Sequence, residues 1–359
     1  MKTFVWKDLS ASERKTALAR PENRRDATVL ARVRDIFDDI EARGFEAVTD
    51  WAVRLDGHTP ERIELDAATV DTARAQLTSE DLAAMELAVE NVRAFQAAEL
   101  PTAGPIIAPK PGLSLQRVYR PLSTAGLYVP GGLAPLFSTL IMTAVPALVA
   151  GVPNRIAITP PAKDGSLHPM MIAAGRASGL DAVWRVGGAH GIAALALGVL
   201  PGLPAADKLF GPGNKYVTEA KRYATERVSG LAIDMPAGPS ELLVIADDSA
   251  NVKLVAADLL SQAEHDSDAQ VVLVALSTAI AESIAAEVEI QVARLPRAVI
   301  ARGSLDQARL FIVRDLQEAA EVSNAYGPEH LAIQVADVDA IIPWLTAAGT
   351  IFAGTYAAS

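Results

Sequence analysis

The amino-acid sequence predicts an α/β protein of at least two domains, built on short, mostly parallel strands with helices on both faces. Three observations carry this reading. The chain has 359 residues, about two to three times the usual length of one domain. Half of these residues are hydrophobic, 21% are charged and only 5% are aromatic, a balance that suits an alanine-rich globular enzyme and excludes a disordered or fibrous chain. Beyond about residue 111, short apolar runs alternate with helical stretches, the pattern of repeated βαβ units.

The elements follow in order. Val29, Val33, Ile36, Phe37 and Ile40 recur at helical spacing between Asp26 and Gly44, and a second periodic run goes from about Thr78 to Ala97, so the first hundred residues are mostly helical. Pro101, Pro105, Pro109 and Pro111 then break the pattern. Strands are expected at 155–159, 183–186, 208–210, 242–246, 271–275, 310–313, 330–335 and 350–352. Helices are expected near 137–150, 189–197, 214–228, 252–264, 278–293 and 338–347. Strands this short and apolar, each followed by a helix, belong to a parallel sheet buried on both sides.

Charge and composition narrow the partners. Lys and Arg total 32 against 43 Asp and Glu, a net charge of −11, which argues against general affinity for nucleic acid or anionic membranes and for small-molecule and subunit partners. The first residues lack the apolar core of a signal peptide. The longest apolar stretch, 140–152, is interrupted by Pro146 and too short to span a bilayer, so the expected location is the cytoplasm. With no cysteine, any metal must be held by nitrogen and oxygen, and redox chemistry needs a borrowed cofactor.

Glycine-rich turns are expected to end several strands: Gly126 with Gly131-Gly132, Gly187-Gly188, Gly211-Pro212-Gly213-Asn214 and Ala237-Gly238-Pro239-Ser240. At the carboxyl edge of a parallel sheet such turns let a ligand approach the backbone, and the following helix start attracts anions. No Gly-x-Gly-x-x-Gly follows a strand, because Tyr216 occupies the third glycine position after Gly211 and Gly213, and there is no P-loop. Pattern alone therefore leaves dinucleotide binding open.

Of five histidines, His58 and His168 sit in polar turns and read as solvated loop residues. His265 lies in Ser261-Gln-Ala-Glu-His-Asp266 at the end of an apolar helical run, with Gln262 three residues earlier on the same face. The pair is either half of a nitrogen/oxygen metal site, with Glu264 and Asp266 nearby, or a helix-terminal histidine interacting with the dipole. Glu329 and His330 stand together in Tyr326-Gly-Pro-Glu-His-Leu331, where a turn enters an apolar strand. A carboxylate beside an imidazole, whose ordinary pKa is about 6.5, can activate water and move a proton near neutrality; the other reading is a polar pair capping a strand.

The sequence resembles the histidinol dehydrogenase family. The motifs are Tyr128-Val-Pro-Gly-Gly132, Val186-Gly-Gly-Ala189, Gly211-Pro-Gly-Asn214 with Tyr216-Val-Thr218, Ile233-Asp-Met-Pro-Ala-Gly-Pro-Ser-Glu241, Ala257-Asp-Leu-Leu-Ser-Gln-Ala-Glu-His-Asp266 and Gly327-Pro-Glu-His-Leu331, in the family's order from about residue 115 to 355. The resemblance implies two incomplete Rossmann-like domains, one inserted into the other, plus N-terminal helices. It divides the chain into an N-terminal segment 1–20, a discontinuous α/β domain of 21–127 and 240–359 carrying the zinc and catalytic residues, and an inserted NAD-binding domain of 128–239. It implies NAD- and zinc-dependent four-electron oxidation of L-histidinol to L-histidine through an aldehyde-level intermediate, in a homodimer. By motif, Gln262 and His265 are zinc ligands and touch substrate. His330 is the general base and Glu329 the group that activates water, both also touching substrate. Ser240 contacts substrate, and Tyr128, His190 and Asn214 face the cofactor.

Three departures from the family pattern accompany the likeness. His190 stands where glutamine is usual, and Pro236 where isoleucine is common. The family's remaining zinc ligands, an aspartate soon after Ala353-Gly354 and a histidine in the C-terminal tail, do not appear before Ser359, and the expectation is that further residues follow. Two alternative readings are a relative that oxidises another small amino- or sulfo-substituted alcohol, and a shortened, non-catalytic ligand-binding relative.

Overall fold

The computed structural model describes residues 1–20, 26–131, 136–235 and 240–357. They form two compact units, one of residues 25–237 and one assembled from 1–24 and 238–359.

In chain order the elements begin with β1 (Lys2–Val5) and α1 (Ala11–Leu18). Then come α2 (Ala27–Arg43), α3 (Phe45–Asp56), β2 (Glu61–Glu64), α4 (Ala67–Arg74), α5 (Ser79–Ala98) and a small antiparallel hairpin of β3 (Ile107–Lys110) and β4 (Leu113–Leu115). The alternating part of the inserted unit is β5 (Thr124–Tyr128), α6 (Phe137–Val149), β6 (Asn154–Thr159), α7 (Pro169–Ala177), β7 (Ala182–Arg185), α8 (Gly188–Leu197), β8 (Lys208–Phe210), α9 (Lys215–Arg227) and β9 (Ala232–Ile233). The chain then returns to the first unit with β10 (Glu241–Ala246), α10 (Val252–Ala263), β11 (Gln270–Ala275), α11 (Thr278–Val292), α12 (Ala298–Gln307), β12 (Arg309–Ile312), α13 (Leu316–Tyr326), β13 (His330–Gln334) and β14 (Thr350–Ala353).

The inserted unit is a six-stranded sheet in the order β2-β7-β6-β5-β8-β9, parallel except for the β2–β7 pair. Side chains alternate along each strand, so one face of the sheet packs Tyr128, Ile158 and Leu209 against α2, α3, α8 and α9, while the other packs Leu127 and Ala157 against α5, α6 and α7. The helical stripe of α2 forms as its spacing requires: Val33, Phe37 and Ile40 are fully buried, Asp26 caps the first turn, and Gly44, at φ +63°, ends the helix. Its partners are α8 and α9, and Ile63 of β2 pairs with Val183 of β7. Residues 25–127 therefore belong with 128–237. This differs from the expected boundary at 127/128, which followed the onset of alternation; the stripe of α2 and the β2 pairing decide membership instead.

The other unit is a parallel six-stranded sheet in the order β1-β12-β11-β10-β13-β14. One face buries Val244, Leu273 and Leu310 under α10, α11 and α12, and the other buries Ile245, Val274, Phe311 and Ile333 under α1 and α13. Residues 1–20 are not a separate segment, since β1 extends this sheet by pairing with β12.

Residues 338–347 do not form the expected helix; only a 3-10 turn, Ile342–Trp344, is present. Pro343 lacks the N–H a helix needs, and the Asn324 side chain takes up local backbone groups, donating to the Trp344 carbonyl and accepting from the Thr346 and Ala347 N–H groups.

Candidate functional site

In the unit holding β10 and β13, the predicted catalytic groups gather at the amino edge of the sheet. The two strands are parallel neighbours with Leu242 opposite His330, which brings the backbone of Glu241 alongside the turn that carries Glu329. The Glu241 N–H donates to Glu329 Oε2 at 3.1 Å, and the Glu241 carbonyl oxygen lies 3.1 Å from His330 Nδ1. A carbonyl only accepts, so Nδ1 carries a proton, and in the neutral ring the lone pair is on Nε2. Glu329 and His330 sit side by side, with Nδ1 3.8 Å from Oε2, and both are partly exposed. Ser240 enters β10 with its carbonyl accepting from the Gln270 N–H at 2.9 Å.

The helix α10 runs back between β10 and β11 and ends at this same amino edge. Gln262 lies in its last turn and is 6% exposed; its Nε2 is buried without a hydrogen-bond partner. His265 follows one turn later and is exposed. A zinc ion needs nitrogen, oxygen or sulfur donors, and these two residues offer an imidazole nitrogen and an amide oxygen, which fits one side of a coordination shell, while the orphaned Nε2 remains a hydrogen-bond donor. Among the described residues no group of three or more His, Cys, Asp and Glu side chains converges.

The other glycine turns lie in the inserted unit, at the carboxyl edge of its sheet, where β5, β7 and β8 end. The Tyr128 ring is 4% exposed, and burial pushes its phenol up to about 12, opposed in part by the nearby Gly188 backbone. Gly211, at φ +114°, follows β8 so closely that a Cβ there would lie 2.0 Å from the Tyr128 carbonyl oxygen, which only glycine permits. Asp234 accepts from the Gly211 N–H at 2.8 Å, and the buried Lys221 donates to the Gly211 carbonyl at 2.7 Å and to Asp234. Asn214 caps α9, its oxygen accepting from the Tyr216 and Val217 N–H groups at 3.0 and 3.2 Å. That leaves its amide NH2 to donate outward. A cleft of about 660 Å³ borders this edge, with Arg120, Met142, Phe210, Pro212 and Asp234 in its wall. An exposed turn with helix starts beside it fits a dinucleotide.

Comparison with known proteins decides what this arrangement belongs to. The histidinol dehydrogenase family model matches residues 18–359. The chain belongs to the histidinol dehydrogenase family. It is 42% identical over 352 residues to histidinol dehydrogenase of Escherichia coli (strain K12), covering 98% of this chain and 80% of that one. The same enzyme of Yersinia pestis is also 42% identical, over 98% of this chain and 78% of that one. A crystal structure of histidinol dehydrogenase from Elizabethkingia anophelis superposes with a TM-score of 0.93 at 35% identity, covering all of this chain and 81% of that one. The protein is an α/β oxidoreductase with a small-molecule substrate. No helix among the described residues is long and apolar enough to cross a membrane.

Within this histidinol dehydrogenase fold, Ser240, Glu329 and His330 share one sheet edge with the end of α10, which carries Gln262 and His265. Tyr128 and Asn214 sit at the glycine-rich edge of the inserted unit. His190, expected to face the cofactor, is fully buried. Its Nε2 lies 3.1 Å from Asp56 Oδ2, which also accepts from the Gly187 N–H at 3.3 Å, so the ring is packed under the Gly187-Gly188 turn and presents no surface to a ligand. Ser240 leads into β10 at the amino edge, not from a strand end at the carboxyl edge as its turn was read. The rest of that turn, Ala237-Gly238-Pro239, lies outside the described residues, as do Pro236 and Gly132. His168 is not merely solvated; its Nδ1 caps α7, accepting from the Met170 N–H at 3.1 Å.

Sequence reasoning passed over Asp56, Lys221, Asp234, Glu241 and Arg20. The first three pin the glycine turns, and Glu241 supplies the backbone that holds the catalytic pair. The only sequence signal was position: Asp234 and Glu241 stand inside a quoted motif, as charged residues in an otherwise apolar and glycine-rich stretch.

Proposed function

We propose that the protein oxidises L-histidinol to L-histidine in two successive two-electron steps, using NAD and zinc. The observation that carries this reading is the Glu241 backbone clamp, which leaves His330 with a free Nε2 and Glu329 with an unengaged oxygen at one sheet edge. His330 Nε2 accepts the proton of the substrate hydroxyl as the alcohol becomes an aldehyde. His330 releases that proton to solvent, a water deprotonated by Glu329 adds to the aldehyde carbon, and the hydrated form gives its remaining proton to His330 in the second oxidation. Gln262 and His265 hold the zinc from one side, and Ser240 contacts the substrate. In the family, an aspartate and a histidine beyond Gly354 complete the shell. Tyr128 and Asn214 hold the cofactor through the edge of the inserted unit, Asn214 by its outward NH2. When bound, zinc fixes the imidazole and amine of the substrate, and nicotinamide takes a hydride in each step.

The test is product stoichiometry. Two reduced cofactors and one histidine should form per histidinol, with activity removed by a chelator and restored by zinc. His330→Ala should remain folded and lose about 100- to 10,000-fold in kcat, as loss of a general base predicts. Preferential turnover of a different small amino alcohol, or near-normal turnover by His330→Ala, would refute the substrate and base assignments respectively.

A further inference from the structure

We propose that Arg20, in the segment before the inserted unit, is a positioning residue that sets the orientation of the His330–Glu329 pair. The proposal rests on the reaction proposed above for those two residues. Arg20 grips the Glu241 carboxylate with two nitrogens, Nε on one oxygen and Nη2 on the other at 2.7 Å, and Nη2 also donates to the Gly327 carbonyl at 2.9 Å. Its guanidinium lies 4.3 Å from the centre of the buried Tyr326 ring. One planar group therefore ties the first residue of β10 to the last residue of α13 and to the left-handed Gly327 turn, two residues before Glu329.

The consequence runs through Glu241. Its side chain is held by Arg20 while its backbone N–H and carbonyl hold Glu329 and His330, so Arg20 fixes both catalytic groups without touching either. The Glu241 carboxylate is only 10% exposed. Without Arg20 it loses both charge-assisted hydrogen bonds, and the start of β10 is no longer held. The carbonyl that selects the Nδ1–H form of His330 then moves off the ring. The Arg20 backbone is itself anchored, because Arg309 donates to the carbonyl of Ala19. Arg309 acts on Glu241 through space but makes no hydrogen bond to it, so the fork is Arg20's alone.

The experiment measures the imidazole tautomer by long-range 1H–15N NMR on histidine-labelled protein, alongside kinetics. The His330 signal is assigned by its loss in His330→Ala. The wild type should show Nδ1–H at His330. Arg20→Gln should show mixed tautomers and a kcat lower by about 10- to 100-fold, with KM for histidinol within about twofold, as expected for misplacement without loss of binding. Arg20→Lys keeps the charge but not the fork and should fall between the two. Glu241→Gln should reproduce the Arg20→Gln tautomer shift, and the double variant should be no worse than either single one. If Arg20→Gln fails to fold, Arg20→Lys and Glu241→Gln carry the same measurement. A wild-type tautomer and kcat in the folded variants, or a lowered Tm with neither changed, overturns the proposal. A wild type that leaves histidinol untouched refutes the proposed reaction instead, and the tautomer still decides the role of Arg20.

Discussion

Replacing Gly349 by alanine should damage catalysis more than stability. Gly349 precedes β14, and its N–H donates to the Pro328 carbonyl at 3.0 Å, while the next residue, Thr350, donates to the Glu329 carbonyl at 2.9 Å. An alanine Cβ at 349 would stand 2.6 Å from the Glu329 carbonyl oxygen. The two must separate by 0.4 Å to reach 3.0 Å, and by 0.8 Å to reach ordinary contact at 3.4 Å. The backbone at 349 has an ordinary negative-φ conformation, so alanine adds no torsional strain, and the cost is this one overlap. Overpacking of this kind costs about 1–3 kcal/mol. If Glu329 yields, its carboxylate and the neighbouring His330 ring shift by most of an ångström, and kcat should fall by about 10- to 100-fold. If β14 yields, the two hydrogen bonds stretch and the loss appears in Tm alone. Steady-state oxidation of histidinol, with thermal unfolding of the same samples, separates these outcomes. Gly104→Ala is the control, since its Cβ would meet nothing closer than 3.7 Å. A folded Gly349→Ala protein with unchanged kcat would refute the claim that the Glu329 backbone sets the reaction geometry.

Two further outcomes are expected. Gln262→Met and His265→Ala should each weaken zinc binding by more than about tenfold, read as metal per chain after dialysis against a buffered zinc series, with folding retained; equal zinc content in variant and wild type would remove these residues from the shell. Tyr128, pushed by burial from about 10 in the unfolded chain to about 12 when folded, contributes stability that is fully present below pH 10 and lost as pH rises from 10 through 12. The loss should amount to about 3 kcal/mol, two pK units at 1.36 kcal/mol each, and Tyr128→Phe should abolish that part of the alkaline slope in denaturant unfolding. Identical slopes in the two proteins would show that the phenol is not held neutral by burial.

The fold was legible where burial was two-sided. All six residues of β10 and of β11 are buried, and after a polar first residue each reads as an unbroken apolar run, so both lie within one residue of expectation. β5 is equally buried but escaped notice because Gly126 interrupts it; a Cβ there would come within 2.7 Å of Leu209, so close packing forces glycine into a central strand. The edge strands β1 and β2, Lys-Thr-Phe-Val and Glu-Arg-Ile-Glu, expose most of their side chains and carry no such run. The site divides in the same way. Glu329 and His330 are neighbours in sequence and announce themselves as a pair, whereas Arg20 bonds to residues 221 and 307 positions away, a relation that only the folded chain creates. His190 shows the converse limit: its place in a motif says which turn it serves, but only packing shows that it supports the turn from beneath.

The two sheet edges differ in the charge they welcome. In the inserted unit, α8 and α9 begin just after β7 and β8, and a helix start carries about half a positive charge, which suits phosphates. In the other unit, the candidate residues lie where α10 and α13 end, and a helix end carries about half a negative charge. Gln262 and His265 at the end of α10, and Glu329 just past the end of α13, thus occupy a region that favours cations. The proposed reaction uses this division: an anionic dinucleotide on one edge, and on the other a zinc ion. The amino edge also supplies what a carboxyl edge lacks, a strand-leading N–H free to hold a carboxylate, and the Glu241 N–H uses it on Glu329. Placing the acid–base pair where parallel strands begin follows from that chemistry.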